Sequence, residues 1–285
     1  MLFAHGDDMR RLRPPRCQHN VPASKEEFAK LTTLDQMDPA NASVIREWTP
    51  RCQELGGKLG WVAEFTRPDI RLALSLCMQH VAGSNEGIFK ALLGILAYLE
   101  NTKALRLRYG HKLERPIRNH VIRHVRQLHV DPYAFFDLVA FCDASYDQPK
   151  PMMCIIVCAG GAPVAWRVMR MPVTPLSTCE AEWFGATLLA TTLAFLHPVL
   201  AFFQVRIQTP LILLCDNESA CKLSERDMGI KKLRHVAMRL AYLQEMTESQ
   251  FMALLHIFTE GELADIGTKI LESKQTILLR NLMLR

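Results

Sequence analysis

The sequence predicts an α/β protein in which a mixed sheet of five strands is flanked by helices and preceded by a helical region. Two observations predict this fold. Strand-like segments recur in the second half of the chain, and apolar residues at helical spacing separate the later ones. Three strands in succession, followed by strands that alternate with helices, favour one mixed sheet. The predicted strands are 137–144, 153–159, 162–167, 211–215 and 251–258.

The first three strands are expected to pair as hairpins, and the fourth strand to lie parallel to the first. Gly160-Gly161 is a turn signal between the second and third strands. Asp143 falls in line with two apolar residues at the end of the first strand, and Asp216 directly follows the fourth. These two carboxylates are therefore expected at the same edge of the sheet.

A helix is predicted to begin near Ser177 and to carry two acids with different roles. Ser177 and Glu180 form a capping box, which gives Glu180 a structural role. Glu182 lies two residues further on, roughly 200° around the helix, so the two carboxylates face different sides. Glu182 is on the packed side, where a carboxylate is costly unless it meets a cation.

A fourth acid, Asp265, is predicted in a late helix that Thr259 and Glu262 open as a second capping box. This helix can reach the edge where the first and fourth strands end. Converging carboxylates without basic partners would repel one another unless divalent cations neutralise them. Oxygen ligands favour Mg²⁺ or Mn²⁺, and two such ions can clamp both oxygens of an in-line phosphoryl displacement.

Each acid also has a purely structural interpretation. Asp143 could be a turn residue after a strand, and Asp216 could be the N-cap of the following helix. Asp265 could pair with Lys269 at i,i+4. No single acid is specific, so the metal interpretation depends on their order in the chain.

The first half of the sequence predicts a basic arm over residues 1–45 and a helical region with a basic linker over 46–130, before a sheet domain over 131–285. A helix over 46–63, interrupted at Gly56-Gly57, is followed by a helical hairpin. The basic run from 103 to 126 is interpreted either as a solvated face or as a track for backbone phosphates. Its candidate phosphate-binding residues are Arg115, Arg118 and Arg123.

Composition adds weaker constraints. The formal net charge of +5 is compatible with an anionic partner. The nine cysteines include no CxxC pair, which indicates free thiols in a reducing, intracellular compartment, cytoplasmic or nuclear. The apolar run 186–203 is nearly long enough to span a bilayer. We interpret it as two core helices broken at Pro198 and expect no membrane partner.

Together, four ordered motifs resemble the ribonuclease H domain of copia-type retrotransposon polyproteins, and two upstream motifs resemble the connection between reverse transcriptase and ribonuclease H in the same polyproteins. The first four are FCDA at 141–144, STCEAE at 177–182, CDNESA at 215–220 and TEGELADIGTK at 259–269. The upstream motifs are TRPDI at 66–70 and YLENTK at 98–103.

The resemblance implies a ribonuclease H-like fold and Mg²⁺-dependent endonucleolytic cleavage of the RNA strand in RNA–DNA hybrids. It implies two Mg²⁺ ions, with Mn²⁺ as a substitute, and the polymerase part of a larger polyprotein as a partner. The implied catalytic and metal-binding residues are Asp143, Glu182, Asp216 and Asp265. Further candidates for substrate binding are Ser177, Asn217 and His235.

Two departures from the family keep alternatives open. The sequence has no Asp-Asp polymerase motif, and the run 188–203 is more apolar than the family's helices. One alternative is a catalytically idle transposon remnant or a domesticated nucleic-acid-binding module. The other is a different two-metal nuclease or an integrase-type enzyme on the same fold, against which the final Ala264-Asp265 motif argues.

Overall fold

The computed structural model describes residues 20–125, 138–146, 151–205, 207–224 and 237–285. The chain divides into two compact units, Met1–Leu105 and Arg106–Arg285. The predicted domain boundaries after residues 45 and 130 stay predictions. Residues 1–19 of the predicted N-terminal arm, together with His235, lie outside the described residues.

The first unit is helical among its described residues. The helices are α1 Lys25–Ala29, α2 Ala42–Phe65, α3 Arg71–Met78 and α4 Glu86–Asn101. Helices α3 and α4 form the predicted helical hairpin and pack on α2 around a buried core. The predicted interruption of α2 at Gly56-Gly57 is wrong, because the helix is continuous there and buried Gly56 lets the Met78 side chain approach its backbone.

A buried polar network closes the turn before α3. The guanidinium of Arg67 donates to both carboxylate oxygens of Asp69, at 2.9 and 2.7 Å. The hydroxyl of Tyr98 donates to the same carboxylate, and Thr102 accepts from Arg67. Arg67 is 5% exposed and Asp69 is 1% exposed, so the pair satisfies itself with almost no help from water.

The second unit contains a five-stranded mixed sheet in the order β3-β2-β1-β4-β5. The strands are β1 Leu138–Ala144, β2 Met152–Ala159, β3 Ala162–Arg170, β4 Leu211–Cys215 and β5 Met252–His256. Strands β1, β2 and β3 pair antiparallel, whereas β4 pairs parallel with both β1 and β5. Gly160 and Gly161 adopt φ values of 60° and 87° in the β2–β3 turn. The predicted fold class and the pairing of the first and fourth strands are confirmed.

Helices surround this sheet. They are α5 Arg115–His124, α6 Thr178–Phe202, α7 Glu218–Ser224, α8 Ala237–Glu248 and α9 Ser273–Met283. Helix α6 runs across one face of the sheet, and its first half is buried there with β1 and β4. This burial fixes the start of α6 beside the strand ends.

The predicted break of the apolar run at Pro198 is wrong, since α6 continues through Pro198 to Phe202. Pro198 removes one N–H donor from this 25-residue helix, the one that would bond to the carbonyl of Ala194. This helix is the only one among the described residues that is long and apolar enough to cross a membrane, with 33% of the qualifying window buried.

The second predicted capping box is also wrong. The Thr259 hydroxyl points to Asp216 instead of capping, and Glu262 accepts a hydrogen bond from the N–H of Ala264 at 2.9 Å. Glu262 therefore caps a 3-10 helix, Leu263–Gly267, which carries Asp265. The segment turns too tightly for the predicted α-helix, and all five of its residues are buried.

Candidate active site

Two adjacent parallel strands bring Asp143 and Asp216 to one edge of the sheet. Cys142 of β1 and Cys215 of β4 are register partners, and each is followed directly by the acid. The Asp143 side chain is 1% exposed and that of Asp216 is 14% exposed. Asp216 does not cap the next helix, because the N–H of Ala220 bonds to Asn217 instead.

The 3-10 helix Leu263–Gly267 brings Asp265 to the same edge. One carboxylate oxygen from each of Asp143, Asp216 and Asp265 lies within 4.8 Å of the others. Three oxygens this close form a group of hard ligands of the kind that Mg²⁺ and Mn²⁺ prefer.

The ammonium of Lys269 lies among these three carboxylates. Its Nζ atom is 2.6 Å from Asp265 Oδ1, 3.2 Å from Asp143 Oδ1 and 3.8 Å from Asp216 Oδ2. The expectation that the acids meet without a basic partner is therefore wrong. Lys269 makes the i,i+4 pair considered for Asp265 and two longer-range ion pairs in addition.

Two hydroxyls complete the contacts of the three aspartates. Thr268 donates to Asp143 Oδ2, and Thr259 donates to Asp216 Oδ2 at 3.4 Å. Lys269 and Thr268 follow Asp265 closely in the chain, so one short segment supplies both a carboxylate and the groups that contact Asp143.

Glu182 approaches from α6 and is nearly enclosed, with 4% of its surface exposed. Its Oε2 atom accepts a hydrogen bond from the thiol of Cys215 at 3.5 Å. A carboxylate oxygen of Glu182, the Cys215 sulfur and a carboxylate oxygen of Asp216 also lie within 4.8 Å of one another. Asp216 thus belongs to two groups, the three aspartates and the set that contains Glu182.

Glu180 caps the start of α6 as predicted, but its carboxylate bonds to a different backbone N–H from the one predicted. The N–H of Glu180 donates to Ser177 Oγ at 3.1 Å, as a capping box requires. The Glu180 carboxylate accepts from the N–H of Leu176 at 2.7 Å, one residue before the predicted Ser177. Glu180 therefore orders the start of α6 and directs Glu182 towards the sheet edge.

Burial and nearby negative charge raise the pKa of three carboxyl groups of the site, those of Asp265, Glu182 and Asp216. Burial and the charge of Asp143 raise the pKa of Asp265 to about 7. Burial, followed by the neighbouring acids, also raises the pKa of Glu182 well above its ordinary value and that of Asp216 above its ordinary value. Burial opposes the charge of Lys269, yet the three aspartates raise its pKa overall. The site is therefore rich in negative potential and favourable for cations.

A cleft of 480 Å³ opens onto Asp143, Glu182, Asp216 and Lys269. Its other lining residues are mostly small or polar: Ala144, Ser145, Tyr146, Thr178, Asn217, Glu218 and Ser219. A volume of this size can admit a polar group such as a backbone phosphate.

The predicted substrate-binding residues have different environments. Ser177 and Asn217 cap helices α6 and α7 through their side-chain oxygens, and only Asn217 of the two lines the cleft. Arg115 and Arg123 of α5 are exposed, whereas Arg118 bonds to Glu114 at 3.3 Å.

Helix α5 is fixed directly to the segment beside Asp216. The His120 ring lies 2.8 Å from the carbonyl oxygen of Gly261, and the N–H of Phe258 donates to the carbonyl of His124. Thr259, the residue after Phe258, reaches Asp216. Helix α5, which carries the exposed arginines, is therefore hydrogen-bonded to the same segment whose Thr259 contacts Asp216.

Sequence reasoning missed the central position of Lys269, the Cys215–Glu182 contact and the burial of Glu262. The sequence does contain a signal for the first, because Lys269 follows Asp265 at helical spacing. Strand alternation placed Cys142 on the face opposite Asp143, but the position of Cys215 against Glu182 depends on how α6 crosses the sheet.

The fold is a mixed five-stranded sheet, and its candidate site is a group of acidic side chains where two parallel strands end. The chain is 25% identical over 219 residues to the retrovirus-related Pol polyprotein from transposon RE1 of Arabidopsis thaliana, covering 75% of this chain and 13% of that protein. It is 24% identical over 231 residues to that from transposon TNT 1-94 of Nicotiana tabacum, covering 80% and 16%. The predicted resemblance to these polyproteins is confirmed, and the chain spans about one seventh of their length.

One solved structure aligns with part of the chain at lower similarity. Ribonuclease H1 from Halobacterium salinarum NRC-1 is 16% identical and aligns with a TM-score of 0.35, covering 46% of this chain and 93% of that protein. No protein-family model matches the chain.

Proposed function

We propose that this chain is a divalent-metal-dependent nuclease that cleaves the RNA strand of RNA–DNA hybrids, acting as part of a larger copia-type polyprotein. The observation that carries the proposal is the group of Asp143, Asp216 and Asp265, whose oxygens lie within 4.8 Å of one another beside an open cleft. The similarity to transposon Pol polyproteins supports the polyprotein context.

The residues present fit a hard divalent cation. Three carboxylate oxygens converge, and the ammonium of Lys269 lies among them, which supports a position suited to positive charge. Asp143, Asp216 and Asp265 would hold one such ion, and Glu182 adds a fourth carboxylate through its proximity to Asp216. Bound Mg²⁺ or Mn²⁺ supplies activation of a water molecule and stabilisation of the leaving oxygen.

The chain's own residues set the geometry of the reaction. The rigid ends of β1 and β4 hold Asp143 and Asp216 side by side, and packing of α6 holds Glu182 against β4. The water oxygen forms a bond to phosphorus while the bond to the 3′-oxygen breaks. One proton of the water balances the departing 3′-hydroxyl, and the phosphate stays on the 5′ side of the cut. Asn217 and the small residues of the cleft leave room for the phosphate to enter.

Helix α5 is the part of the unit best suited to hold the nucleic-acid backbone. Arg115 and Arg123 are eight positions apart on one helix, or roughly 12 Å at 1.5 Å per residue. Successive phosphates of one strand advance by about 3.4 Å along a duplex, so the two arginines span several phosphates. The contacts of α5 with Phe258 and Gly261 align that track with the segment beside Asp216.

The test is cleavage of a labelled RNA–DNA hybrid with Mg²⁺ by the full chain and by Asp143→Asn and Glu182→Gln variants. Both substitutions remove a ligand charge while keeping side-chain size. We expect each to lower the cleavage rate by at least about 100-fold, since even outer-shell partners of metal ligands are worth about 10–100-fold. Glu245→Gln, an exposed acid on α8, is the matched control and should leave the rate unchanged.

A substrate panel distinguishes the alternatives. Cleavage of the hybrid but not of duplex DNA or single-stranded RNA supports the proposal, whereas equal cleavage of duplex DNA favours another two-metal nuclease. Hybrid binding without any cutting by the unmodified chain overturns the enzyme proposal and favours an idle or domesticated binding module.

A further inference from the structure

We propose that Glu182, Cys215 and Asp216 form a binding site for a thiophilic divalent cation, of which zinc and cadmium are the representatives. The site adjoins the three aspartates but differs from them in chemistry, because one of its ligands is sulfur. Its occupation would withdraw Glu182 and Asp216 from hard-metal binding and so inhibit the nuclease, a consequence that rests on the proposed function.

The ligand atoms are already gathered. The Cys215 sulfur lies 3.5 Å from Glu182 Oε2, and both lie within 4.8 Å of an Asp216 carboxylate oxygen. Zinc binds sulfur at about 2.3 Å and oxygen at about 2.0–2.2 Å, so ligand atoms at these separations need only small shifts to surround one ion. Three protein ligands leave the fourth tetrahedral position open, as in zinc sites that bind water.

The sheet and the following helix fix the position of Cys215. The thiol of Cys221 donates to the carbonyl oxygen of Cys215 at 4.0 Å. Cys142 is the register partner of Cys215 on β1, so the sheet itself holds the two sulfurs together. A thiolate is the form of cysteine that ligates metals.

An ion can reach the site from the cleft. Glu182 and Asp216 line the cleft, whereas Cys215 is fully buried behind them. The two carboxylates would meet a hydrated cation first, because Cys215 does not line the cleft. Mg²⁺ prefers oxygen and releases its water reluctantly, so the sulfur selects against it and in favour of softer ions.

The two cation sites must compete, because Asp216 belongs to both groups of ligand atoms. An ion that binds Glu182, Cys215 and Asp216 draws on two of the four acids predicted for hard-metal binding. Zinc or cadmium should therefore reduce magnesium affinity without occupying the position of Lys269.

The experiment is titration of the full chain with Cd²⁺, followed by the ultraviolet charge-transfer absorption of cadmium–thiolate bonds and by calorimetry. We expect one thiolate-bearing site in the unmodified chain. Cys215→Ala should abolish the absorption and weaken zinc and cadmium binding at least tenfold. Cys158→Ala, which removes a buried thiol from β2, should leave both readouts unchanged.

A second variant covers the case in which Cys215→Ala fails to fold. Glu182→Gln keeps the thiol and removes a ligand charge, so cadmium affinity should fall at least tenfold while circular dichroism stays native. An absorption that persists in Cys215→Ala, or that is absent from the unmodified chain, overturns the site. If the chain binds cadmium as expected but never cuts hybrids, the proposed cation site is supported and only the proposed nuclease function is overturned.

Discussion

At the scale of single residues, Lys269 decides how the acids coexist without metal. Its ammonium contacts Asp143 and Asp265 directly and lies 3.8 Å from Asp216. Lys269→Met removes this charge, so without metal we expect the free energy of unfolding to fall by about 1–3 kcal/mol, with the partial exposure of Lys269 limiting the loss. Urea unfolding in the presence of a chelator measures the effect.

Magnesium makes this prediction specific. Added Mg²⁺ should restore more stability to the Lys269→Met variant than to the unmodified chain, because the ion replaces the missing positive charge. Lys222→Met, which removes an exposed ion pair with Glu218, is the matched control. Equal losses in both variants, with no greater rescue by Mg²⁺, would mean that Lys269 does not compensate the aspartates.

At the scale of elements, the buried turn before α3 holds the first unit's hairpin together. Asp69→Ala leaves the guanidinium of Arg67 buried without its partner, which costs about 3–5 kcal/mol. Tyr98→Phe removes one hydrogen bond to the same carboxylate and should cost about 1 kcal/mol. Hydrogen exchange in peptides from α2, α3 and α4 measures both, and equal protection in the two variants would show that the ion pair is not needed.

Helix α5 is the element predicted to bind the nucleic-acid backbone. Replacing Arg115 and Arg123 together with alanine should weaken hybrid binding and reduce the dependence of log affinity on log salt by about two. The control replaces Arg51 and Lys58 of α2, which make exposed pairs with neighbouring glutamates. A salt dependence that falls equally in both double variants would show that α5 makes no particular phosphate contacts.

The elements also show where sequence reasoning succeeds and where it stops. Alternation in the first strand, strand-like apolar segments in the others and the Gly160-Gly161 turn predicted all five strands, because these features are local. The order of hairpins and helical crossovers predicted the parallel pairing of β1 with β4. The expected breaks at Gly56 and Pro198 did not occur, since tertiary packing decides whether a helix tolerates such residues. The contact of Cys215 with Glu182 depends on how α6 crosses the sheet, which no local pattern specifies.

At the scale of the whole molecule, the buried acids make stability depend on pH. A carboxyl whose pKa is higher in the folded than in the unfolded state contributes fully below its unfolded pKa and loses that contribution as pH rises through the folded value. The pKa of Asp265 rises from 3.8 to about 7 on folding, and those of Glu182, Asp216 and Glu262 also rise. Without metal, stability should therefore decline from about pH 4 to about pH 7.

Two other groups act differently in this range. The raised pKa of Lys269 gives a contribution that is fully present below about pH 10.4, so it is constant here. Burial lowers the pKa of His120, which makes stability rise with pH through about 6.5 and partly offsets the acids. Substitution of Asp265 isolates its contribution to the pH dependence of stability, because the contribution of His120 is the same in the variant and in the unmodified chain.

The urea midpoint in chelator, measured between about pH 5 and about pH 8, is therefore expected to fall less steeply for Asp265→Asn than for the unmodified chain. The exposed acid Glu245 provides the control, since Glu245→Gln should keep the original slope. Magnesium should flatten the decline in the unmodified chain by binding the ionised carboxylates that the higher pH creates. If the urea midpoint in chelator falls equally steeply with pH in Asp265→Asn and in the unmodified chain, ionisation of Asp265 does not cause the pH dependence of stability.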